Sequence, residues 1–360
     1  MDDETLTRLL DEDPRRQATK AGLRYVDDDE PGYQRLPWGR GFTYRDERGS
    51  TVRSRQLRQR FEALAIPPAW DQVWICRDPR GHLQVTGRDE ANRKQYLYHP
   101  RWDERRQQKR SERMLAFGWL LSTVRRTVRR HLRRDELDYR RVHAAVVRLL
   151  ETTTARVGGA EYAADNDTYG LATIRKRHVA EVEGGVVRLS FEGKGSQPWE
   201  IDVLDDRVLA VVSACLEVPG YELFKYFDDS GEKRDVTAAS VNDYLHEVAG
   251  HRVHAKDFRT WAATVEAARL VDGIPPSQRT ASAMLLAVDG AADKLRNTRA
   301  ICRSSYICRE ILDRFERQSS RGDALCDELP ELRRDERAVV EFLSEVVVAG
   351  DAPSRTKASA

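Results

Sequence analysis

Arg156, Lys194, Arg259 and Tyr306 are spread over 150 positions, and together they are side chains that can break and remake a phosphodiester without a metal. A phenol attacks phosphorus, two guanidiniums neutralise charge growing on the non-bridging oxygens, and an ammonium protonates the departing 5′-oxygen. Each has an ordinary explanation taken alone. Lys194 stands between glycines in Phe191-Glu192-Gly193-Lys194-Gly195, after a strand-like run, and an isolated turn residue usually just faces solvent. Lysine is scarce in this arginine-rich chain, so its use there is informative; the GxxxxGK[ST] spacing of a phosphate-binding loop is missing. Arg156 precedes a glycine pair, commonly no more than a helix stop. Arg259, in Lys256-Asp257-Phe258-Arg259-Thr260-Trp261, opens a helix whose aromatics face the core, where an arginine can simply pair with a carboxylate. Tyr306 is one of 12 tyrosines, flanked by polar residues between Asn297 and Ile307. Only a fold could bring the four together.

The chain that must do so has 360 residues, 61 Lys+Arg against 59 Asp+Glu, and a formal net charge of +2. Its length predicts two domains, and 40% apolar residues can fill a core in each. No window nears the roughly 18 apolar residues of a membrane span, and the acidic N-terminus is unlike a signal peptide, so a cytoplasmic protein is expected. Five cysteines (Cys76, Cys215, Cys302, Cys308, Cys326), widely spaced and without a CxxC pair, argue for reduced thiols rather than a disulfide framework or zinc site.

The small net charge conceals an asymmetry. Residues 101–148 carry 15 basic and 6 acidic side chains, whereas residues 323–345 carry 8 acidic and 3 basic, which points to a local polyanion-binding surface.

Up to about residue 105 the reading is strand-rich, with apolar alternations at 23–26, 73–76, 83–86 and 96–98 and one helix over 53–64. Beyond Pro100, Phe117, Leu120, Leu121, Val124, Val128 and Leu132 fall at helical spacing, as do Val142, Ala145, Val146 and Leu149. Residues 171–203 turn strand-like, and from Asp205 onward the pattern is mostly helical. The fold class expected is α+β: a small strand-rich N-terminal domain (1–104), a larger, mainly α-helical catalytic domain with a short antiparallel sheet (105–350), and a frayed tail (351–360). On the helix after residue 117, Arg125, Arg129 and Arg133 form one i, i+4 ridge and Arg126, Arg130 and Arg134 another. A solvated face is the plain reading; phosphate contacts are the functional one, because arginine offers a planar donor fork.

Several separated motifs in one order carry a resemblance. GRGFTYRDERG (39–49), LAIPPAWDQVWIC (64–76) and GHLQVTGRDEANRKQYLYHPRW (81–102) are followed by RVGGAEYAADNDTYGLATIRKRHV (156–179), FEGKG (191–195), KDFRTWAAT (256–264) and NTRAICRSSYI (297–307). Over nearly its whole length the chain resembles bacterial and poxvirus-like type IB DNA topoisomerases. The resemblance implies a clamp on double-stranded DNA that relaxes positive and negative supercoils through a 3′-phosphotyrosyl intermediate, working as a monomer without metal, nucleotide, other cofactor or membrane. It implies Tyr306 as nucleophile, Arg156 and Arg259 as the catalytic arginines, Lys194 as general acid and Lys256 as a supporting lysine. Asn297 stands where many relatives carry a histidine that hydrogen-bonds a non-bridging oxygen. It also implies Tyr162, Asn166, Arg175, Lys176 and His178 in or near the DNA interface.

The sequence leaves two routes to the phenolate open, a water or the potential of the arginines. A tyrosine recombinase is the nearest alternative, but its usual second motif is His-x-x-Arg where this chain has Lys256-Asp257-Phe258-Arg259. A clamp that binds DNA without cleaving it is the other.

Overall fold

The computed structural model describes residues 1–182, 186–314, 325 and 327–351. The protein divides into two compact units, residues 11–110 and residues 1–10 with 111–360. The first ten residues therefore leave the N-terminal domain expected from sequence: Leu6, Leu9 and Leu10 on α1 (Asp3–Leu10) are buried in the core of the larger unit.

In the smaller unit, α2 (Pro14–Lys20) starts on an Asp13 cap with proline in its first turn. A second short helix, α3 (Arg55–Ala63), lies between the strands β1 (Gly32–Trp38), β2 (Gly41–Arg45), β3 (Asp71–Cys76), β4 (Leu83–Arg88) and β5 (Lys94–Tyr98). These form an antiparallel sheet of order β2-β1-β3-β4-β5. Sequence periodicity anticipated β3, β4, β5 and α3, but not α1, α2 or the β1–β2 hairpin. β1 reads GYQRLPW, without clean alternation and with a proline; Pro37 is tolerated because β3 pairs only with Gly32–Arg35, leaving that end a single neighbour. The alternation at 23–26 forms no strand, and Arg24 makes only an isolated bridge to Gly81. Phe61, Val73, Ile75 and Val85 fill the core under the sheet. Buried Arg35 donates to the carbonyls of Ile66, Pro67 and Trp70 at 3.0, 2.9 and 2.7 Å, holding the Pro67-Pro68 turn.

One long helix, α4 (Pro100–His131), runs through the boundary into the larger unit, which continues with α5 (Tyr139–Thr153) and α6 (Ala160–Asn166). The three-stranded antiparallel sheet β6 (Val179–Val182), β7 (Val186–Gly193), β8 (Gln197–Val203) follows. Next come α7 (Asp206–Glu217), the small hairpin β9 (Lys225–Phe227) and β10 (Lys233–Asp235), then α8 (Ala238–Ala249), α9 (Ala255–Asp272) and α10 (Ala281–Leu295). The last helices are α11 (Arg299–Ser305), α12 (Arg309–Arg314) and α13 (Arg334–Asp351). The chain is thus mixed α and β, with the helices dominating the larger unit. Gly118 of α4 lets two neighbours approach closely, since a Cβ there would lie 2.6 Å from Val340 of α13 and 2.8 Å from Trp261 of α9. Phe117 meets Phe258 edge-on at 5.1 Å. Cys76, Cys215, Cys302 and Cys308 are buried free thiols. Cys326 and the tail beyond residue 351 lie outside the described residues. Among the described residues, no helix is long and apolar enough to cross a membrane.

α5, which leads directly to Arg156, carries a buried histidine. His143 has its ring nitrogens 2.7 Å from the Tyr139 carbonyl and 2.8 Å from Ser240 Oγ, and burial pushes its pKa down to about 4. Because the unfolded value is near 6.5, the unfolded chain takes the proton first. The stability from keeping this ring neutral is complete above that pH and is lost as pH falls toward 4, in all about 3 kcal/mol. Thermal melts should therefore drop between pH 6.5 and 4, and His143→Gln should flatten that slope; an unchanged slope would assign the effect to other groups.

Candidate active site

The arginine of the glycine loop is set by backbone crossing backbone. α5 ends at Thr154 in a left-handed conformation (φ 58°), and two residues on the chain passes against a turn at 170–173. The amides of Leu171 and Ala172 donate to the carbonyls of Arg156 and Val157 at 2.9 and 2.7 Å. At the crossing a Cβ on Gly170 would lie 2.4 Å from Gly158 N and 2.5 Å from the Arg156 carbonyl, and Gly158 has φ +86°. Both positions need glycine for contact or conformation.

Arg259 rises from the first turns of α9, which is locked at its start. Asp257 accepts both Nε and Nη2 of Arg113 at 2.7 Å and also the His254 amide at 2.8 Å. A buried carboxylate at a helix N-terminus thus holds the turn that carries Lys256 and Arg259. The Arg259 guanidinium donates to Thr154 O at the end of α5 and to Leu295 O at the end of α10, the latter at 2.9 Å. One cation thereby satisfies carbonyls at two helix C-termini, where the dipole favours it. Its Nε is buried and has no partner among the described residues.

Tyr306 follows α11 and is 5% exposed. Its amide donates to Cys302 O at 3.0 Å, and buried Thr264 of α9 donates to its carbonyl at 3.2 Å, so the backbone is fixed from both sides. Arg156 Nη1 lies 3.0 Å from the phenol oxygen, while Arg156 Nη2 donates to Asn297 Oδ1 at 3.1 Å. Arg259 stands 5.3 Å from the phenol ring centroid and Lys256 Nζ 6.0 Å. Arg156, Lys194, Lys256, Arg259 and Tyr306 all line one cleft of about 530 Å³. Lys194 reaches it from the exposed β7–β8 tip, where Gly195 and Ser196 have φ of +76° and +54°. Four elements distant in sequence converge there.

Two tyrosines line this cleft, and their environments differ. Burial pushes Tyr306 upward, but the guanidiniums of Arg156 and Arg259 outweigh it and hold the phenol below its ordinary value. Burial and a hydrogen bond to Asp167 instead push Tyr169 up. The phenol primed to ionise is Tyr306, and the potential of the arginines, one of the two routes left open by sequence, lowers the cost of the phenolate. Asn297 leaves its buried Nδ2 without a partner among the described residues, a donor held in reserve beside Arg156. In the phosphodiester transesterification that the resemblance implies, Asn297→Ala should slow strand cleavage about tenfold or more, and Asn297→His should change the rate as well, because an imidazolium cannot accept from Arg156. Equal single-turnover rates in all three proteins would remove this side chain from the site.

The sequence of the chain matches the eukaryotic DNA topoisomerase I catalytic core over residues 95–323 and the bacterial DNA topoisomerase IB N-terminal domain over residues 41–89. The chain belongs to the type IB DNA topoisomerases. Among its relatives is DNA topoisomerase 1B of Acanthamoeba polyphaga mimivirus, 27% identical over 268 residues, which are 72% of this chain and 80% of that one. DNA topoisomerase 1B of Vaccinia virus (strain Copenhagen) is 22% identical over 250 residues, 68% of this chain and 75% of the relative.

The residues considered for DNA contact in this topoisomerase separate into groups. Arg126, Arg130 and Arg133 are exposed and have no ion-pair partner among the described residues. Arg125 is a correction to the sequence reading: its donors are spent on Glu151 at 2.5 Å, Glu336 at 2.7 and 2.8 Å and the Glu331 carbonyl at 2.7 Å, inside the fold. The acidic C-terminal stretch supplies Glu336, 1% exposed, and the Glu331 carbonyl, so part of the basic excess of residues 101–148 and of the acidic excess of residues 323–345 is internal pairing. Arg129 pairs with Glu331 at the surface. Lys176 caps the Leu216 carbonyl at the end of α7, and His178 Nδ1 accepts from the Arg175 amide at 3.0 Å, so both also serve the local fold. Asn166 is exposed at the end of α6; Tyr162 lies on the same helix, and its side chain falls outside the described residues. Sequence reasoning overlooked Tyr169 and Arg113. The first stood inside a quoted motif beside the crossing glycine; the second had no local signal, its partner being 144 residues away.

Proposed function

We propose that this type IB topoisomerase relaxes positive and negative supercoils with Tyr306 as nucleophile. The observation that carries the reading is the phenol oxygen 3.0 Å from Arg156 in a cleft shared with Lys194, Lys256 and Arg259. The Tyr306 oxygen attacks a backbone phosphorus and loses its proton to solvent. The bond from phosphorus to the 5′-oxygen breaks, leaving the DNA joined through its 3′-phosphate to the tyrosine. Arg156 and Arg259 neutralise the non-bridging oxygens as charge builds, and Asn297 Nδ2 adds a hydrogen bond. Lys194, supported by Lys256, gives the departing 5′-oxygen a proton.

The phosphotyrosyl ester conserves the energy of the broken linkage. Strand rotation then relaxes torsion, and the 5′-hydroxyl reverses the reaction, so the scheme uses no nucleotide, metal or other cofactor. Exposed Arg126, Arg130 and Arg133 supply phosphate contacts, and affinity falls steeply as salt rises. The reading includes action as a monomer on DNA in the bacterial cytoplasm, at the nucleoid, with the match to a bacterial N-terminal domain in its favour.

The test is relaxation of positively and negatively supercoiled plasmid in EDTA without ATP, with denaturant quenching to trap protein joined to a DNA 3′ end. Relaxation of both signs with a trapped adduct is expected. A metal or ATP requirement, or plasmid binding with no change in linking number, would overturn the reading.

A further inference from the structure

Tyr169 stands where three connections meet. Its hydroxyl donates to Asp167 and accepts from Arg177 Nη2, the latter at 2.8 Å. Its backbone amide donates to the Glu192 carbonyl at 2.7 Å, two residues before Lys194. The next residue, Gly170, is the one pressed against Gly158 and the Arg156 carbonyl. The ring is 5% exposed, with Arg175 and Arg177 at 5.4 and 5.7 Å from its centroid and His178 edge-on at 4.5 Å. Arg177 and Asp167 are mostly solvent-facing, their side chains 57% and 79% exposed, and their separation is 3.3 Å.

A buried ring is therefore clasped on its outer side by two arginines, Arg177 exposed and Arg175 half-buried with its Nε 3.8 Å from Glu222. On its inner side its turn holds the two segments that present Lys194 and Arg156, its own amide bonding the Glu192 carbonyl and those of Leu171 and Ala172 the carbonyls of Arg156 and Val157. An exposed pair such as Arg177–Asp167 is weak and readily exchanged for a phosphate, which offers arginine a better-matched set of oxygens. Withdrawing Arg177 toward a phosphate changes what the Tyr169 hydroxyl holds, and the turn at 167–173 has no independent freedom because both backbones are hydrogen-bonded to it.

We propose that Tyr169 is a positioning residue that couples occupancy of the Arg175–Arg177 cluster by a DNA phosphate to the placement of Lys194 and Arg156. The inference rests on the transesterification reading above. Tyr169 touches no reacting atom in it; the phenol acts through the backbone of its own turn. A DNA duplex that fails to engage the cluster would bind without aligning the general acid, so cleavage would be withheld until the backbone is seated.

The experiment is single-turnover cleavage at saturating enzyme of a duplex with a mapped cleavage position, together with equilibrium binding of the same duplex. It is run for wild type, Tyr169→Phe and Arg177→Gln. A parallel substrate carries sulfur in place of the 5′-bridging oxygen; a thiolate leaves without a proton, so it bypasses the work of Lys194. Tyr169→Phe should lower the saturated rate on the ordinary phosphodiester about tenfold with Kd within about twofold, and the sulfur substrate should recover part of that loss. Arg177→Gln also removes a phosphate contact, so it should raise Kd as well as lower the saturated rate on the ordinary phosphodiester, with the sulfur substrate again recovering part of the rate loss, and it stands in if Tyr169→Phe does not fold. A saturated rate unchanged in the folded variants, a change in Kd alone, or an equal loss on both substrates would overturn the proposal. Wild-type protein that forms no phosphotyrosyl adduct would instead overturn the underlying reaction, so the two failures are distinguishable.

Discussion

Tyr306→Phe should abolish plasmid relaxation and covalent adduct formation, a loss of at least about 10⁴-fold, the scale seen when an essential nucleophile is removed. One oxygen is deleted, and no other described residue lining the cleft has comparable character: Tyr169 lines the same space but is pushed up rather than down and is tied to Asp167. Folding should be nearly untouched. The phenol oxygen partners Arg156 at the cleft wall, where water can replace it, so the melting temperature should stay within a few degrees and DNA affinity within about twofold. Residual relaxation near the wild-type rate would place the nucleophile elsewhere. The same side chain sets the pH dependence. With the phenol held below its ordinary value by Arg156 and Arg259, the ionised fraction rises with pH and saturates at lower pH than for a free tyrosine. The cleavage rate should follow that rise, and Arg156→Ala should move the rising limb to higher pH.

The second large effect separates the two arginines. Arg156→Ala and Arg259→Ala should each cost about 10²–10³-fold in cleavage, the usual loss when a preorganised donor to a developing oxyanion is removed. Their effects on folding should differ. Arg156 donates to Tyr306 and Asn297, both side chains of the site itself. Arg259 is 3% exposed and holds the terminal carbonyls of α5 and α10, which would be left buried and unpaired. Each such carbonyl costs about 1–3 kcal/mol. Arg259→Ala should therefore lower the melting temperature by several degrees, and Arg156→Ala should not. Equal melting temperatures would mean that water enters between the helix ends.

Arg259 carries a local signal but has distant partners. Its place in KDFRTWAAT marked it as a functional arginine by resemblance, yet its dependence on Thr154 and Leu295 could not be seen, because those partners are 105 and 36 positions away. The arginine ridge on α4 went the other way. Its spacing was read correctly as helical, but charge counting treats all exposed-looking arginines alike. Arg125 turned inward because Glu151 and Glu336 lie within reach from two other helices. The β1–β2 hairpin was invisible because a strand with proline and mixed polarity has no period to detect, and its pairing partners decide it.

What the sequence determines by itself is local: residue types suited to phosphoryl transfer, helical and strand periods, the hairpin around Lys194 and the motif order that marks the family. Side-chain chemistry and backbone periodicity are properties of neighbouring residues, so they survive in a one-dimensional record. The tertiary structure alone decided that Arg156 meets Tyr306 across 150 positions, that Gly158 and Gly170 cross in contact, and that Tyr169 sits between the cationic cluster and the Lys194 hairpin. Those facts depend on which distant surfaces pack together. The balance of burial and opposing charge that lowers one phenol and raises another exists only after the packing has occurred.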